Sequence, residues 1–319
     1  MTRTQAFLKS RDTIRRKHLA ISTERSYQGW LSRFIRYLAD GHAKGLPSET
    51  KLEAFLTQLA HQDVSAATQN QAFNALVFFY KEVLLQPLGD VSALRAIRPA
   101  TLRTAPSVEQ VSRLLAACQD THGYPTRLIV HLLYGCGLRV TEPCNLRIKD
   151  VDLVQQKLII RMAKGAKDRV VNLPICLRKP ILDQLEAARV TWKRDVANGV
   201  PLELPGRLAT KYPRSQFSWN WAWVFPSHTT CHHPRTGAIV RYRVHEANVQ
   251  LAVREASRKI HEDIKPHQLR HGYATHCLNR GQNPRAIQMA MGHSQLETTM
   301  GYLHAEALSV RSPLDTLQG

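Results

Sequence analysis

Asn283-Pro284-Arg285-Ala286-Ile287-Gln288-Met289-Ala290-Met291-Gly292-His293-Ser294-Gln295-Leu296-Glu297-Thr298-Thr299-Met300-Gly301-Tyr302 reads as two short helices that meet at a histidine. Pro284 after Asn283 opens the first, and Gly292 stops it. Ser294 and Glu297 form a capping box that opens the second, which carries Tyr302 about two turns in. Upstream, Pro266-His267-Gln268-Leu269-Arg270-His271 predicts another proline-opened helix with His267 and Arg270 three apart on one face. Further back, Tyr134-Gly135-Cys136-Gly137-Leu138-Arg139-Val140-Thr141-Glu142 places Arg139 just beyond a helix-breaking Gly-x-Gly turn.

The remaining pattern is mostly helical. Apolar residues recur at helical spacing over 21–39 (Tyr27, Trp30, Leu31, Phe34, Leu38), over 50–60, and over 66–84 (Ala72, Ala75, Leu76, Phe79, Val83). Ser107 and Gln110 cap a further helix, and helices are predicted over 177–196 and 244–260. Two strands, 157–161 and 169–173, flank the turn Lys164-Gly165-Ala166-Lys167-Asp168. The expectation is therefore a mainly α chain with a small β-hairpin. A helical domain spans 1–95, a linker 96–106, and a mixed α/β domain 107–319 with an insertion at 199–243 and a tail at 303–319. A structureless loop of that length is unusual inside a compact domain and is often functional. Its Trp219, Trp221 and Trp223 would share one face of an extended strand, which reads equally as a core face or as a binding face.

The 319 residues include 44 Lys+Arg against 25 Asp+Glu, a formal charge of +19, which points to a polyanion such as nucleic acid as the partner. Residues 1–95 carry 13 basic against 8 acidic side chains and the remainder 31 against 17, so both domains are expected to meet it. Six cysteines (118, 136, 144, 176, 231, 277) lack paired spacing, which argues against a disulfide framework or zinc ribbon and for a reducing compartment. No apolar run reaches the roughly 20 residues that span a bilayer, so a cytoplasmic location and no membrane partner are expected. His267 and His271 have the spacing of two metal ligands on a helix, but Gln268 stands where a metalloprotease carries its glutamate. Neither that pair nor Cys231-His232-His233 is read as a metal site, and no cofactor is expected.

Arg139 and Arg270 offer planar forks that match phosphate oxygens and can stabilise a pentacoordinate phosphorus. Tyr302 could attack that phosphorus once neighbouring positive charge eases its ionisation from an ordinary pKa of about 10. A phosphotyrosyl ester conserves the bond energy, so resealing requires neither ATP nor a metal. A lysine on the hairpin could protonate the departing alkoxide.

The boxes Gly-x-Gly-Leu-Arg-x-x-Glu (135–142), His-x-Leu-Arg-His (267–271) and Gly-His-Ser-x(3)-Thr-Thr-x-x-Tyr (292–302), in that order, resemble those of the tyrosine recombinases. The resemblance implies a helical DNA-clamping domain followed by a catalytic domain. It assigns Tyr302 as the nucleophile of a 3′-phosphotyrosyl link, Arg139 and Arg270 as phosphate clamps, Lys164 as general acid, and His267 and His293 as supporting groups. Ala163, Gly272 and Pro143 depart from the usual pattern without removing a reacting group. The insertion, with Ala209-Thr210-Lys211-Tyr212-Pro213 and Trp219-x-Trp-x-Trp-Val-Phe-Pro, looks like that of integron integrases. Such enzymes insert and excise gene cassettes by recombining a duplex site with a folded single-stranded site bearing extrahelical bases, and strand exchange between two sites implies a homo-tetramer on DNA. Lys211, Arg214, Trp219, Trp221, Trp223, Arg235, Arg241 and Arg243 are then the candidate DNA contacts, with indoles suited to stacking unpaired bases. The alternatives are a phage or chromosomal recombinase acting on duplex sites only, and a DNA-binding relative that has lost its chemistry.

Overall fold

A computed structural model describes residues 2–41, 45–62, 64–93, 105–163, 167–206 and 208–292. The chain divides into two compact units, Met1–Thr101 and Leu102–Gly319. The mainly helical architecture with a small antiparallel sheet agrees with the sequence reading.

The first unit is built from α1 (Arg3–Arg16), α2 (Ile21–Ala39), α3 (Ser48–His61) and α4 (Ala66–Phe78). Trp30, Leu31 and Phe34 of α2 pack with Leu52, Phe55 and Leu56 of α3 and with Ala72 and Leu76 of α4. The α4 spiral widens into a π-helical turn over Phe79–Leu84, which buries Phe79 and Tyr80 and ends at Leu85 in the left-handed region (φ 57°). The helix expected over 66–84 is thus two successive windings. Gln69 lies inside this core, donating from its side chain to the Leu56 carbonyl at 2.9 Å.

The second unit opens with α5 (Val108–Ala117), where Ser107 and Gln110 form the expected reciprocal cap. Next come α6 (Thr126–Gly135), α7 (Thr141–Cys144), and a sheet of β1 (Val151–Asp152), β2 (Lys157–Ala163) and β3 (Lys167–Asn172), antiparallel in that order. Leu158 pairs with Val171, and Ile160 with Arg169. After α8 (Arg178–Ala197) the insertion is ordered. It contains α9 (Leu208–Lys211), 3-10 turns at Pro213–Phe217 and Trp219–Trp221, and a hairpin of β4 (Pro226–His232) with β5 (Ile239–Arg243). Then follow α10 (Glu246–Lys259), α11 (Pro266–Asn279) and α12 (Pro284–Met291). Helix α6 is central: Ile129, Leu132 and Leu133 are fully buried and join Val249, Val253 and Leu269 from α10 and α11 in one core. Among the described residues no helix is long and apolar enough to cross a membrane.

Candidate active site

Local sequence sets each wall of the site. Helix α6 ends at Gly135, and Gly137 takes the left-handed conformation (φ 62°) that turns the chain toward Arg139. A Cβ on Gly137 would lie 2.4 Å from a ring carbon of Tyr273, so no larger residue fits. On the opposite wall, α11 starts at Pro266 with the Gln268 side chain accepting the Lys265 N–H at 2.8 Å. This carries Arg270, only 1% exposed, directly beneath the Gly137 turn, where its Nη1 donates to the Gly137 carbonyl at 2.6 Å. Asn283 caps α12 by accepting the Arg285 N–H at 2.8 Å, and Gly292 (φ 64°) ends that helix in the left-handed region, as its sequence predicts.

The end of α12 is where the arginines converge. A helix leaves its last carbonyls without backbone partners, and the partial negative charge there favours cations. Arg270 Nη2 donates to the Met291 carbonyl, Arg139 Nη2 to Gly292 at 3.4 Å, and Arg169 Nε to Ala290 at 2.6 Å. Three consecutive carbonyls are therefore held by three arginines from α11, the Gly137 turn and β3.

Glu142 binds these arginines from the other side. Its Oε2 accepts the Arg139 backbone N–H at 2.8 Å and its Oε1 accepts Arg139 Nη1 at 2.9 Å. Arg169 grips the same carboxylate with two nitrogens, at 2.9 and 2.6 Å, and Arg270 Nη1 lies 3.9 Å away. Burial alone pushes the Glu142 carboxyl up, but the hydrogen bond and charge of Arg169, with those of Arg139, hold it below the ordinary glutamate value. A depressed pKa means that this stabilisation is present above the ordinary value and is lost as pH falls through the folded one. The carboxylate is thus ionised at neutral pH.

Of the six predicted catalytic residues, Arg139 and Arg270 meet around Glu142. His267 lies one turn before Arg270 at the exposed end of α11, its ring edge-on to His271 at 4.6 Å. Lys164, His293 and Tyr302 lie outside the described residues. Lys167, the other lysine of the predicted turn, belongs to β3. Tyr273 touches the Gly137 turn, but burial pushes its phenol up to about 12, which removes it as a nucleophile at neutral pH. Burial likewise pushes the Cys136 thiol up to about 12. Among the described residues no group of three or more histidine, cysteine or acidic side chains could hold a metal ion.

Arg169 was missing from the sequence-based site. The available signal was parity: Arg169 shares a strand face with Val171, which is 3% exposed, whereas Val170 between them is 53% exposed. A cation in a core-facing strand position needs a buried partner, and Glu142 is that partner.

The insertion distributes the expected DNA contacts unequally between buried and exposed positions. The three tryptophans do not share a strand face, because Trp219–Trp221 is a 3-10 turn. Trp223 is 5% exposed, with the Arg147 guanidinium 3.0 Å above its ring and its Nε1 donating to the Arg241 carbonyl at 3.3 Å. Burial lowers the Arg147 pKa to about 10 despite the neighbouring Glu203. Arg241 is 5% exposed and makes a two-pronged ion pair with Asp195 at 2.6 and 2.5 Å. Arg243 is committed to the Val244 carbonyl at 2.8 Å and to Glu246 at 3.0 Å. Trp223, Arg241 and Arg243 are therefore engaged by partners within the chain itself. Arg241→Ala should destabilise the protein by about 3–5 kcal/mol, the usual loss when one partner of a buried pair is removed. A melting curve checks this, and unchanged stability would show that the pair does not anchor the hairpin. Lys211, Arg214 and Arg235 are exposed, while Trp219 and Trp221 are half-buried. Lys149 Nζ stands 3.0 Å over the Trp221 ring, and Trp219 leans on Trp192 at 5.4 Å.

Comparison with known proteins gives two family matches: residues 107–308 match the phage integrase family, and residues 7–90 match the N-terminal SAM-like domain of phage integrases. An integrase/recombinase from Escherichia coli is 39% identical over 317 residues, covering 96% of this chain and 92% of the relative. Tyrosine recombinase XerA of Thermococcus kodakarensis is 31% identical over 283 residues, covering 88% and 83%. Among solved structures, XerH site-specific recombinase bound to its difH substrate in a pre-cleavage complex aligns with a TM-score of 0.61 at 16% identity, covering 96% of this chain and 84% of that one. That last likeness is one of fold.

Proposed function

The chain belongs to the phage integrase family of tyrosine recombinases, and from that premise we propose that it is a recombinase of the integron integrase type, which integrates and excises gene cassettes through a 3′-phosphotyrosyl intermediate. The observation that supports the chemistry most directly is the meeting of Arg139 and Arg270 on consecutive carbonyls, Gly292 and Met291, at the point where the chain runs on to His293 and Tyr302. In this reading the two guanidiniums bind the non-bridging oxygens of the scissile phosphate and stabilise the extra negative charge of the pentacoordinate state. The Tyr302 oxygen forms the new P–O bond while the bond to the 5′ oxygen breaks. Lys164 protonates that oxygen as it leaves, and His267 and His293 hydrogen-bond the reacting phosphate. Attack by a free 5′ hydroxyl reverses the step, so one phosphodiester is exchanged for another with no need for ATP or metal. Exchange between two sites occupies four protomers.

Cassette handling rests on the insertion. Half-buried Trp219 and Trp221 lie near exposed Lys211 and Arg214 in sequence, a combination suited to stacking extrahelical bases beside a phosphate backbone. Covalent capture on folded single-stranded hairpins with unpaired bases, set against fully matched duplexes, tests the assignment. Capture of the hairpins is expected to be the stronger, and capture of duplexes alone would replace this reading with that of a duplex-only recombinase. Trp221→Ala should weaken binding to the bulged hairpin by about 1–3 kcal/mol, with a much smaller change on the matched duplex. Equal losses on both substrates, accompanied by a lower melting temperature, would assign Trp221 to packing.

A further inference from the structure

The three arginines at the end of α12 are not equivalent. Arg139 and Arg270 are the proposed phosphate clamps, whereas Arg169 has no part in the reaction as described. Its side chain is 8% exposed and all three guanidinium nitrogens are engaged: Nε by the Ala290 carbonyl at 2.6 Å, Nη1 and Nη2 by the two Glu142 oxygens at 2.9 and 2.6 Å. Glu142 in turn holds Arg139 through its backbone N–H and through Nη1. Arg139 itself is 26% exposed and follows a left-handed glycine turn, and among the described residues the only other hydrogen bond of its guanidinium is the 3.4 Å contact to Gly292. The direction of its guanidinium therefore depends on Glu142, and the orientation of Glu142 depends on Arg169.

We propose that Arg169 is a positioning residue for strand cleavage: it locks the Glu142 carboxylate so that Arg139 is aimed at the scissile phosphate, and it ties the end of α12 to the same strut. This inference rests on the reading of Arg139 as a phosphate clamp. The strut requires a planar fork, because a lysine ammonium can approach one carboxylate oxygen or one carbonyl but cannot span both oxygens and Ala290 together. Packing adds to the constraint, since a Cβ at Gly292 would lie 3.1 Å from the Arg169 Cδ.

The charges facing Glu142 among the described residues are Arg139 on its own turn, Arg169 from β3, and Arg270 from α11 at 3.9 Å. Burial already pushes the carboxyl up, and the hydrogen bond and charge of Arg169 oppose it most strongly. Without Arg169 the carboxyl takes up a proton at higher pH, and a neutral acid no longer holds Arg139 as an anion does. Loss of positioning should therefore show as a fall in cleavage rate on the acid side that begins at higher pH than in the wild-type protein.

The test is single-turnover covalent capture on a nicked suicide substrate with the full chain, between about pH 5.5 and 8.5, a window above the ordinary glutamate value. Arg169→Gln, Arg169→Lys and Arg139→Ala are compared with wild type, with DNA affinity and melting temperature measured for each. Arg169→Gln is expected to slow capture about tenfold to hundredfold at neutral pH, in the range for a displaced catalytic group, with affinity changed by no more than about twofold. Its rate should recover as pH rises, and Arg169→Lys, which keeps the charge without the fork, should fall between the two. If Arg169→Gln fails to fold, Arg169→Lys carries the same readout. A lower melting temperature with the wild-type rate and pH profile would overturn the proposal and leave Arg169 a packing residue, and a pH-independent rate loss would overturn it as well. Unimpaired capture by Arg139→Ala would instead bring down the clamp reading on which the inference depends.

Discussion

Tyr302→Phe should abolish covalent DNA capture completely while leaving DNA affinity within about twofold of wild type, because the change removes one oxygen that only the chemical step requires. Among the described residues no tyrosine near the arginines is placed to substitute. Tyr273 is the one against the Gly137 turn, and its phenol, pushed up to about 12, is protonated at neutral pH with its ring wedged under the glycine. Tyr134 is also pushed up by burial, and its hydroxyl is engaged by His276 Nδ1 at 2.9 Å. A denaturing gel of protein incubated with a nicked suicide substrate reads the result directly. Any protein–DNA adduct formed by the variant would transfer the nucleophile elsewhere, and simultaneous loss of binding would indicate misfolding.

Arg270→Ala is expected to cost the most overall, because the side chain serves the fold and the chemistry together. Its removal leaves the Gly137 and Met291 carbonyls without a donor in a buried space, at about 1–3 kcal/mol each. Loss of a preorganised donor aimed at developing charge typically slows the chemical step by a further factor of about 10²–10³. The two losses are separated by measuring single-turnover capture well below the variant's melting temperature. Arg270→Lys keeps the charge but cannot bridge both carbonyls, so it should recover part of the rate and little of the stability. Wild-type capture by either variant would remove Arg270 from the phosphate site.

Much of this fold was legible in local chemistry. The caps at Ser107, Asn283 and Gly292 are short-range signals that require no knowledge of the rest of the chain, and each helix they bound is present. Helix α2 was equally plain, since its large apolar residues fall on one face. Helix α1 escaped because its buried face is Ala6, Ser10, Thr13 and Ile14, too small and polar to produce hydrophobic periodicity among six charged neighbours. The insertion misled for the opposite reason. Alternating indoles mimic a strand, whereas the segment around them turns tightly to bury Trp223 under Arg147, and the true hairpin lies in the more polar stretch beyond. Arg241 and Arg139 look alike in sequence. Distant Asp195 makes one a buried anchor, whereas Glu142, three residues on, holds the other as a partly exposed side chain.

The crowding of cations at the end of α12 has an electrostatic consequence. Among the described residues three guanidiniums surround one carboxylate, a local excess of two positive charges in a setting where like charges repel more strongly than in water. The helix carbonyls offset part of that excess with partial charges, but no second anion among these residues balances the rest. A cluster with such an excess of positive charge favours a bound phosphodiester. On the proposed mechanism the scissile phosphodiester would supply one negative charge to this cluster, and the pentacoordinate state, with one more than the ground state, would match it better still.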